Sequence, residues 1–221
     1  MEKERAVLIV FPHPDDEAFG TSGSIIDFVS QGVPVTYLCL TLGEMGRNLG
    51  SPFFATRESL PAFRKNELNA AGEVLGCNMI SMGLRDKTIE FLDYDIISAQ
   101  ILKIIKDVNP SLIISHYPPY AVHPDHNATG EIIIKTLNEM SAEERPKLWL
   151  TAFSKGCEQE IGQPDIVRDI QKHAMQKLEA LRAHRSQTEA MTEGWDKLIE
   201  KNDPSMKNRF MMERFWTYKF D

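Results

Sequence analysis

Residues 7–20 read VLIVFPHPDDEAFG, and this stretch decides how the rest of the chain is interpreted. Residues 6–11 are continuously apolar and rich in β-branched side chains, which is typical of a strand buried on both faces of a parallel sheet. Two prolines end the apolar run, and four titratable side chains lie among and directly after them: His13, Asp15, Asp16 and Glu17. In open α/β sheets, ligands bind beyond the carboxyl ends of the strands. The turn therefore lies where a functional site is expected.

Two interpretations of this polar turn are open from the segment alone. Asp15 or Asp16 would serve as the N-cap of a helix that begins near Glu17, since acidic groups stabilise helix N-termini. One cap requires a single acid, however, whereas the turn carries three acids and a histidine. An imidazole and a carboxylate three residues apart, His13 and Asp16, are also typical metal ligands.

The composition is that of a globular enzyme-sized protein. The 221 residues contain 26% charged and 42% hydrophobic residues, which fits one domain over residues 1–221. No apolar run approaches the ~20 residues of a membrane span, and no signal-peptide pattern is visible, so we predict a cytoplasmic protein without a membrane partner. The net charge of −7 argues against nucleic acid as a partner. The three widely spaced cysteines contain no CxxC pair and predict neither disulfides nor a thiolate metal site.

Apolar periodicity and Gly/Pro punctuation predict alternating strands and helices. Strands are predicted at residues 6–11, 33–41, 77–82, 111–115 and 148–153, with a final aromatic strand or packing segment at 213–220. Helices are predicted at residues 16–30, 61–75, 93–109, 127–140 and 170–186. A long glycine-containing loop at 42–60 begins at the end of a strand and is predicted to line a site. The pattern predicts an α/β fold: a Rossmann-like, doubly wound, mostly parallel sheet with helices on both faces.

A second His-Pro-Asp tripeptide, His123 to Asp125, follows the fourth predicted strand and is followed by His126. The two loops offer imidazole and carboxylate ligands without thiolates. Two histidines and one carboxylate with an open position form a catalytic zinc pattern, and the same ligands would accept Fe²⁺. His123 and His126 are three residues apart, so both could bind the metal, or one could take part in the chemistry.

The two motifs, His13-Pro-Asp-Asp-Glu17 and His123-Pro-Asp-His126, resemble those of the LmbE-like zinc-dependent N-deacetylase superfamily. This superfamily includes the GlcNAc-phosphatidylinositol, mycothiol-pathway and bacillithiol-pathway deacetylases. Weaker signatures occur in family order over about residues 15–190: Thr41-Leu-Gly-Glu44, Arg64-x-x-Glu67, Gly83-x-x-Asp86 and Ala183-His-Arg-Ser-Gln187.

The resemblance implies a role for each residue of the two motifs. Zinc is bound by His13, Asp16 and His126; Asp15 is the general base; His123 stabilises the oxyanion or acts as an acid; and Asp125 orients the histidine pair. It further implies substrate contacts for three residues, Glu44, Arg64 and Asp86. Without the resemblance, Arg64 and Glu67 would be interpreted as an exposed i, i+3 ion pair. We also hypothesise that Arg47 helps bind an anionic aglycone.

The resemblance predicts a zinc hydrolase that deacetylates a small-molecule GlcNAc glycoside, with GlcNAc-malate of bacillithiol biosynthesis as the expected substrate and a homo-oligomer as the expected assembly. Four alternatives stay open, one of them a purely structural metal protein that chelators would unfold. The substrate could be another GlcNAc conjugate, or the enzyme could be an amidase of thiol S-conjugates. The protein could also be a non-catalytic sugar- or nucleotide-binding module with a vestigial metal site, although no phosphate-binding glycine motif follows the first strand. His116 is predicted to be a polar core group that orients the loop after its strand, and His184 is predicted to be a packing or hydrogen-bonding residue.

Overall fold

Seven strands form the sheet at the centre of the protein, for which a computed structural model describes residues 3–220. They are β1 (Val7–Phe11), β2 (Val35–Thr41), β3 (Asn78–Leu84), β4 (Leu112–His116), β5 (Lys147–Thr151), β6 (Ile166–Asp169) and β7 (Met212–Thr217). Their order is β3-β2-β1-β4-β5-β7-β6. The first five strands pair in parallel, and β7 runs antiparallel to both β5 and β6. The predicted mostly parallel α/β sheet is confirmed, with an antiparallel edge that includes the unpredicted β6.

Ten α-helices surround the sheet within the described residues. They are α1 (Asp16–Gly20), α2 (Ser22–Ser30), α3 (Leu60–Leu75), α4 (Tyr94–Val108), α5 (Pro124–Asn138), α6 (Cys157–Ile161), α7 (Ala174–Ala183), α8 (Arg185–Thr188), α9 (Trp195–Glu200) and α10 (Pro204–Phe210). None of the helices within residues 3–220 combines the length and apolar character needed to cross a bilayer.

The continuous apolar run of β1 is explained by two separate hydrophobic cores, one on each face of the sheet. Val7, Ile9 and Phe11 pack into a core that includes side chains of α2, α3 and α7. Leu8 and Val10 pack on the opposite face into a core formed with α4 and α5. All five residues are fully buried. Because both faces are covered, the strand has no polar positions until it ends at the turn that carries the first motif.

Two helices that the sequence predicts as continuous are each divided in the structure. Both predictions are wrong at the point of division. The predicted helix over 16–30 is divided into α1 and α2 at Thr21, whose φ of −141° is not helical. The predicted helix over 170–186 begins with a 3₁₀ turn and breaks at His184, between α7 and α8. Both interruptions lie next to the polar turn after β1, since His184 bonds to Glu17 of that turn.

A buried ion pair connects the antiparallel edge of the sheet to α1 and α2, the helices at and after the first motif. Glu213 of β7 accepts hydrogen bonds from the backbone N–H groups of Gly23 and Ser24, both at 2.8 Å, in the first turn of α2. Lys177 of α7 lies 3.2 Å from the same carboxylate and also donates to the carbonyl of Phe19. Strand β7 is thereby held close to the helices that follow the polar turn.

Candidate active site

The polar groups that follow β1, β3 and β4 meet at the carboxyl ends of these strands. The two His-Pro-Asp segments are in direct contact: Nδ1 of His13 lies 3.2 Å from Nε2 of His126. The Asp16 carboxylate lies 3.5 Å from the first of these nitrogens and 3.3 Å from the second. The three residues predicted as ligands therefore form a triangle of donor atoms.

The dimensions and chemistry of this triangle fit a metal ion. Ligand atoms at about 2.0–2.2 Å from a tetrahedral zinc lie about 3.3–3.6 Å from one another, close to the separations seen here. The second ring nitrogen of each histidine faces an acceptor: Nε2 of His13 lies 3.1 Å from Asp86, and Nδ1 of His126 lies 3.0 Å from the carbonyl of Ala121. Each histidine thus directs an unprotonated nitrogen into the triangle. Two such lone pairs facing one another across 3.2 Å are stabilised by a shared cation.

The charge distribution favours an ionised Asp16. Burial alone would raise the pKa of this carboxyl group, but the electrostatic interaction with His126 and the nearby rings of His116 and His13 hold it well below its usual value. Burial would likewise lower the pKa of His13, yet its contacts with Asp125, Asp16 and Asp86 raise it well above the usual value. The histidine is thus surrounded by carboxylates that stabilise positive charge at this point.

Asp15 lies beside the triangle in an unusual backbone conformation. Its φ of 102° is left-handed, a conformation that few non-glycine residues adopt, and such residues cluster at functional sites. Its carboxylate accepts a hydrogen bond of 3.0 Å from Arg64. Burial raises the pKa of Asp15 to about 6, against the opposing positive charge of Arg64. A carboxyl group with a pKa near neutrality is suited to accept and return a proton.

Arg64 and Glu67 do not form the ion pair that their i, i+3 spacing indicates. Arg64 is buried and donates to Asp15, to the carbonyl of Gly43 at 3.1 Å and to the carbonyl of Pro14. Glu67 accepts from the N–H and the hydroxyl of Ser186, at 2.7 and 2.6 Å. The surroundings of Arg64 thus favour the positioning of Asp15 rather than the substrate contact that the resemblance implies.

Asp86 and Glu44 connect two loops at the site. Besides its contact with His13, Asp86 accepts a 2.9 Å hydrogen bond from the N–H of Met45. Glu44 in turn accepts from the N–H of Asp86 at 2.9 Å. Asp86 is buried, and its contacts favour the orientation of His13 over the predicted substrate contact. The Glu44 side chain is partly exposed, and its predicted substrate contact stays a prediction.

Arg47 lies in the loop between β2 and α3 and is exposed. Its carbonyl oxygen accepts a 3.0 Å hydrogen bond from the side chain of Gln187, which ties the loop to α8. Its binding of an anionic aglycone stays a hypothesis.

His123 and Asp125 stand at the N-terminus of α5. Nδ1 of His123 accepts the N–H of Asp125 at 3.1 Å, so the neutral ring carries its proton on Nε2. Asp125 is fully buried, accepts from the N–H groups of Lys87 and Ile89, and lies 3.5 Å from Nε2 of His13. These contacts bring Asp125 to His13. The Nε2–H of His123, at the edge of the triangle, has no hydrogen-bond acceptor within the described residues.

Comparisons with known proteins identify the family to which this chain belongs. The sequence model described as PIG-L, GlcNAc-PI de-N-acetylase, matches residues 8–137, more than half of the chain. The chain belongs to the PIG-L family. A Bacillus cereus relative named "Probable N-acetyl-alpha-D-glucosaminyl L-malate deacetylase 2" is 48% identical over 99% of this chain and 100% of its own length. A Bacillus subtilis relative of the same name is 46% identical over 97% of this chain and 98% of its own.

A solved structure shows the same fold. The N,N'-diacetylchitobiose deacetylase of Pyrococcus horikoshii superposes with a TM-score of 0.73 and 25% identity, covering 97% of this chain and 84% of its own. The PIG-L family match ends near the end of α5. The segments that follow α5 are therefore outside the part described by the family model.

Sequence reasoning did not reveal how two buried residues support Asp15 in this PIG-L family protein. Glu17 accepts the backbone N–H of Asp15 at 3.0 Å, and its other oxygen lies 2.5 Å from Nε2 of His184. Both side chains are fully buried. His184 is thus a hydrogen-bonding residue, as predicted, and its partner holds the strained backbone of Asp15. The break between α7 and α8 lies at His184, the residue that makes this contact with Glu17.

His116 contributes a stacking contact. Its ring lies between those of Phe11 and His126, with centroid separations of 4.2 Å on both sides. Burial lowers the pKa of His116 to about 4, so the ring is uncharged at neutral pH. Within the described part of the chain, neither ring nitrogen has a hydrogen-bond partner. We infer that stacking on the His116 ring fixes the orientation of the His126 imidazole.

The site of this PIG-L family protein opens into a cleft of about 940 Å³ that the sequence did not predict. Asp16, His116 and His126 contribute to its lining, together with residues from 151–163 and from β7. Phe153, half exposed, contacts the rings of His116 and His126 edge-on at 5.7 and 5.8 Å. Residues 151–163 show no clear helical or strand periodicity. The aromatic and charged side chains in this segment were the one sequence signal that could have indicated the cleft.

Proposed function

We propose that this protein is a metal-dependent hydrolase that removes the N-acetyl group from a GlcNAc-bearing small molecule, with GlcNAc-malate as the substrate. The observation that carries the proposal is the donor triangle of His13, Asp16 and His126 with the Asp15 carboxylate beside it. Membership of the PIG-L family and two full-length relatives named for GlcNAc-malate deacetylation support the choice of reaction and substrate.

The metal is proposed to be zinc, held by His13, Asp16 and His126. A bound Zn²⁺ supplies Lewis acidity and lowers the pKa of a water molecule from about 15.7 towards about 7. Imidazole and carboxylate ligands would accept Fe²⁺ as well, so the metal is to be identified by measurement. Cytoplasmic location and homo-oligomerisation stay predictions.

The remaining steps use side chains of this chain. Asp15 takes a proton from the water that attacks the acetamide carbon, and Arg64 keeps the carboxylate directed at that water. The Nε2–H of His123 donates to the carbonyl oxygen as this oxygen gains negative charge. Asp15 then returns the proton to the nitrogen as the C–N bond breaks. The products are acetate and a primary amine.

The proposal is tested by measuring primary-amine release from GlcNAc-malate by the metal-loaded protein, with N,N'-diacetylchitobiose as a second substrate. We expect kcat/KM for amine release to be higher with GlcNAc-malate than with N,N'-diacetylchitobiose. Release from N,N'-diacetylchitobiose alone would support the deacetylase reaction but would contradict GlcNAc-malate as the substrate. Tight binding of GlcNAc-malate without acetate release, by protein that retains its metal, would favour a binding module instead.

Removal of the metal should abolish amine release, and added Zn²⁺ should restore it.

His126→Ala should also lower the bound metal, measured by elemental analysis, because one of three ligands is lost. His173→Ala is the matched control, since His173 pairs with Asp27 outside the site and should leave the metal content unchanged. Full metal content in His126→Ala would remove this histidine from the ligand set.

A further inference from the structure

The cleft beyond the donor triangle contains a charged residue that the mechanism does not use. We propose that Arg214 of β7 binds the carboxylate-bearing aglycone of the substrate and so determines specificity for an anionic GlcNAc conjugate. This inference rests on the proposed function and assigns a binding residue within the same site.

The position of the cleft gives the direction in which a substrate extends. Asp16 and His126 of the triangle line this cleft, and Arg214 lines it from β7. A substrate whose acetamide group lies at the triangle can extend past Asp16 and His126 into this cleft. A volume of about 940 Å³ is at the upper end of the ~300–1,000 Å³ usual for small-molecule sites. Phe153 offers an exposed ring against which a sugar can pack.

The charges of the cleft point to Arg214 as the anion-binding group. Among the residues that line it, Asp16, Glu158 and Glu213 are acidic, and Arg214 is the one Lys or Arg side chain. Glu213 is buried and already neutralised by Lys177 at 3.2 Å. A dicarboxylate such as malate would be repelled by the other acids, and by a chain of net charge −7, unless a cation bound it.

Arg214 is available for this role, in contrast to other arginines near the site. Its side chain is 42% exposed, and its nearest acidic partner, Glu158, is 3.6 Å away, beyond normal hydrogen-bond distance. Arg64, by comparison, is buried against three acceptors. A guanidinium group can form two parallel hydrogen bonds with one carboxylate, and this geometry gives specificity as well as affinity.

The backbone of Arg214 is held firmly, whereas its side chain is exposed and forms one ion pair of 3.6 Å with Glu158. The residue pairs with Val167 of β6, and its neighbours Glu213 and Phe215 are buried. The guanidinium therefore extends from a fixed strand. Arg47, the cation hypothesised from the sequence for the same role, lies in the loop after β2 and is not among the residues that line this cleft.

The test compares kcat/KM for GlcNAc-malate with kcat/KM for an uncharged GlcNAc glycoside, in the zinc-loaded protein and its variants. Arg214→Gln should lower the ratio of the two values about 10- to 100-fold, mainly through KM for GlcNAc-malate, because charge-assisted hydrogen bonds are lost. Glu158→Gln should have the opposite effect and lower that KM by up to about fivefold, because it removes a competing acid. L-malate should inhibit hydrolysis of the neutral glycoside less in Arg214→Gln than in the wild type.

Lys155→Gln is the matched control, because Lys155 is an exposed cation next to residues of the cleft wall and should leave the ratio unchanged. An unchanged ratio in Arg214→Gln, with a lowered ratio in Arg47→Gln, would overturn the assignment and place the anion site in the loop after β2. Failure of the wild type to hydrolyse GlcNAc-malate would contradict the proposed function itself. The two failures are therefore distinguishable.

Discussion

Replacement of Asp15 by asparagine should lower the rate of amine release about 10²- to 10⁴-fold while the metal stays bound. The asparagine amide oxygen can still accept the hydrogen bond from Arg64, so the geometry is retained and only the capacity to accept a proton is lost. The three residues of the donor triangle are unchanged. The measurement is kcat on GlcNAc-malate together with the metal content of the purified variant.

Asp107→Asn is the matched control for this substitution, because Asp107 is exposed on α4 and lies near residues 5–6 and 34–36 at the amino ends of β1 and β2, at the edge of the sheet opposite the site. Its kcat should equal that of the wild type. Equal rates in Asp15→Asn and the wild type would show that Asp15 is not the base. Loss of metal from Asp15→Asn would instead place Asp15 among the ligands.

The sequence predicted the sheet and the meeting of the two motifs for a physical reason. A strand buried on both faces has no polar residues, and its end is marked by the first titratable side chains. The carboxyl ends of parallel neighbours meet at one edge, which brings His13 and His126 to 3.2 Å. The arrangement follows from local patterns, and no distant contact has to be known.

Other features depend on contacts between distant segments and could not be predicted. The spacing of Arg64 and Glu67 indicates an ion pair, but each side chain bonds to a distant segment: Arg64 to Asp15 in the turn after β1, and Glu67 to Ser186 of α8. The interruption at His184 depends on its bond to Glu17. The walls of the cleft come from segments with little periodicity, whose side chains are brought to the triangle by tertiary packing alone.

The second large effect is expected for the buried pair of Glu17 and His184. Burial lowers the pKa of His184, but the Glu17 carboxylate raises it overall, which favours a charged partner for the glutamate. His184→Leu should therefore lower the free energy of unfolding by about 3–5 kcal/mol, because it leaves a buried carboxylate without its partner. Chemical unfolding at a fixed pH measures this change. His173→Leu is the matched control, since Asp27 keeps Arg168 and Lys172 as partners, and should cost at most about 1 kcal/mol.

The double variant Glu17→Met/His184→Leu separates the two functions of this pair. An apolar pair of similar size removes both buried charges, so much of the stability lost in His184→Leu should return. Activity should remain below that of the wild type, because the backbone N–H of Asp15 loses its acceptor, and Asp15 is held at a φ of 102° next to Asp16, the proposed metal ligand. Recovery of both stability and kcat would show that Glu17 has no part in positioning Asp15. Recovery of stability alone would establish that the fully buried carboxylate acts on catalysis through the backbone of its neighbour.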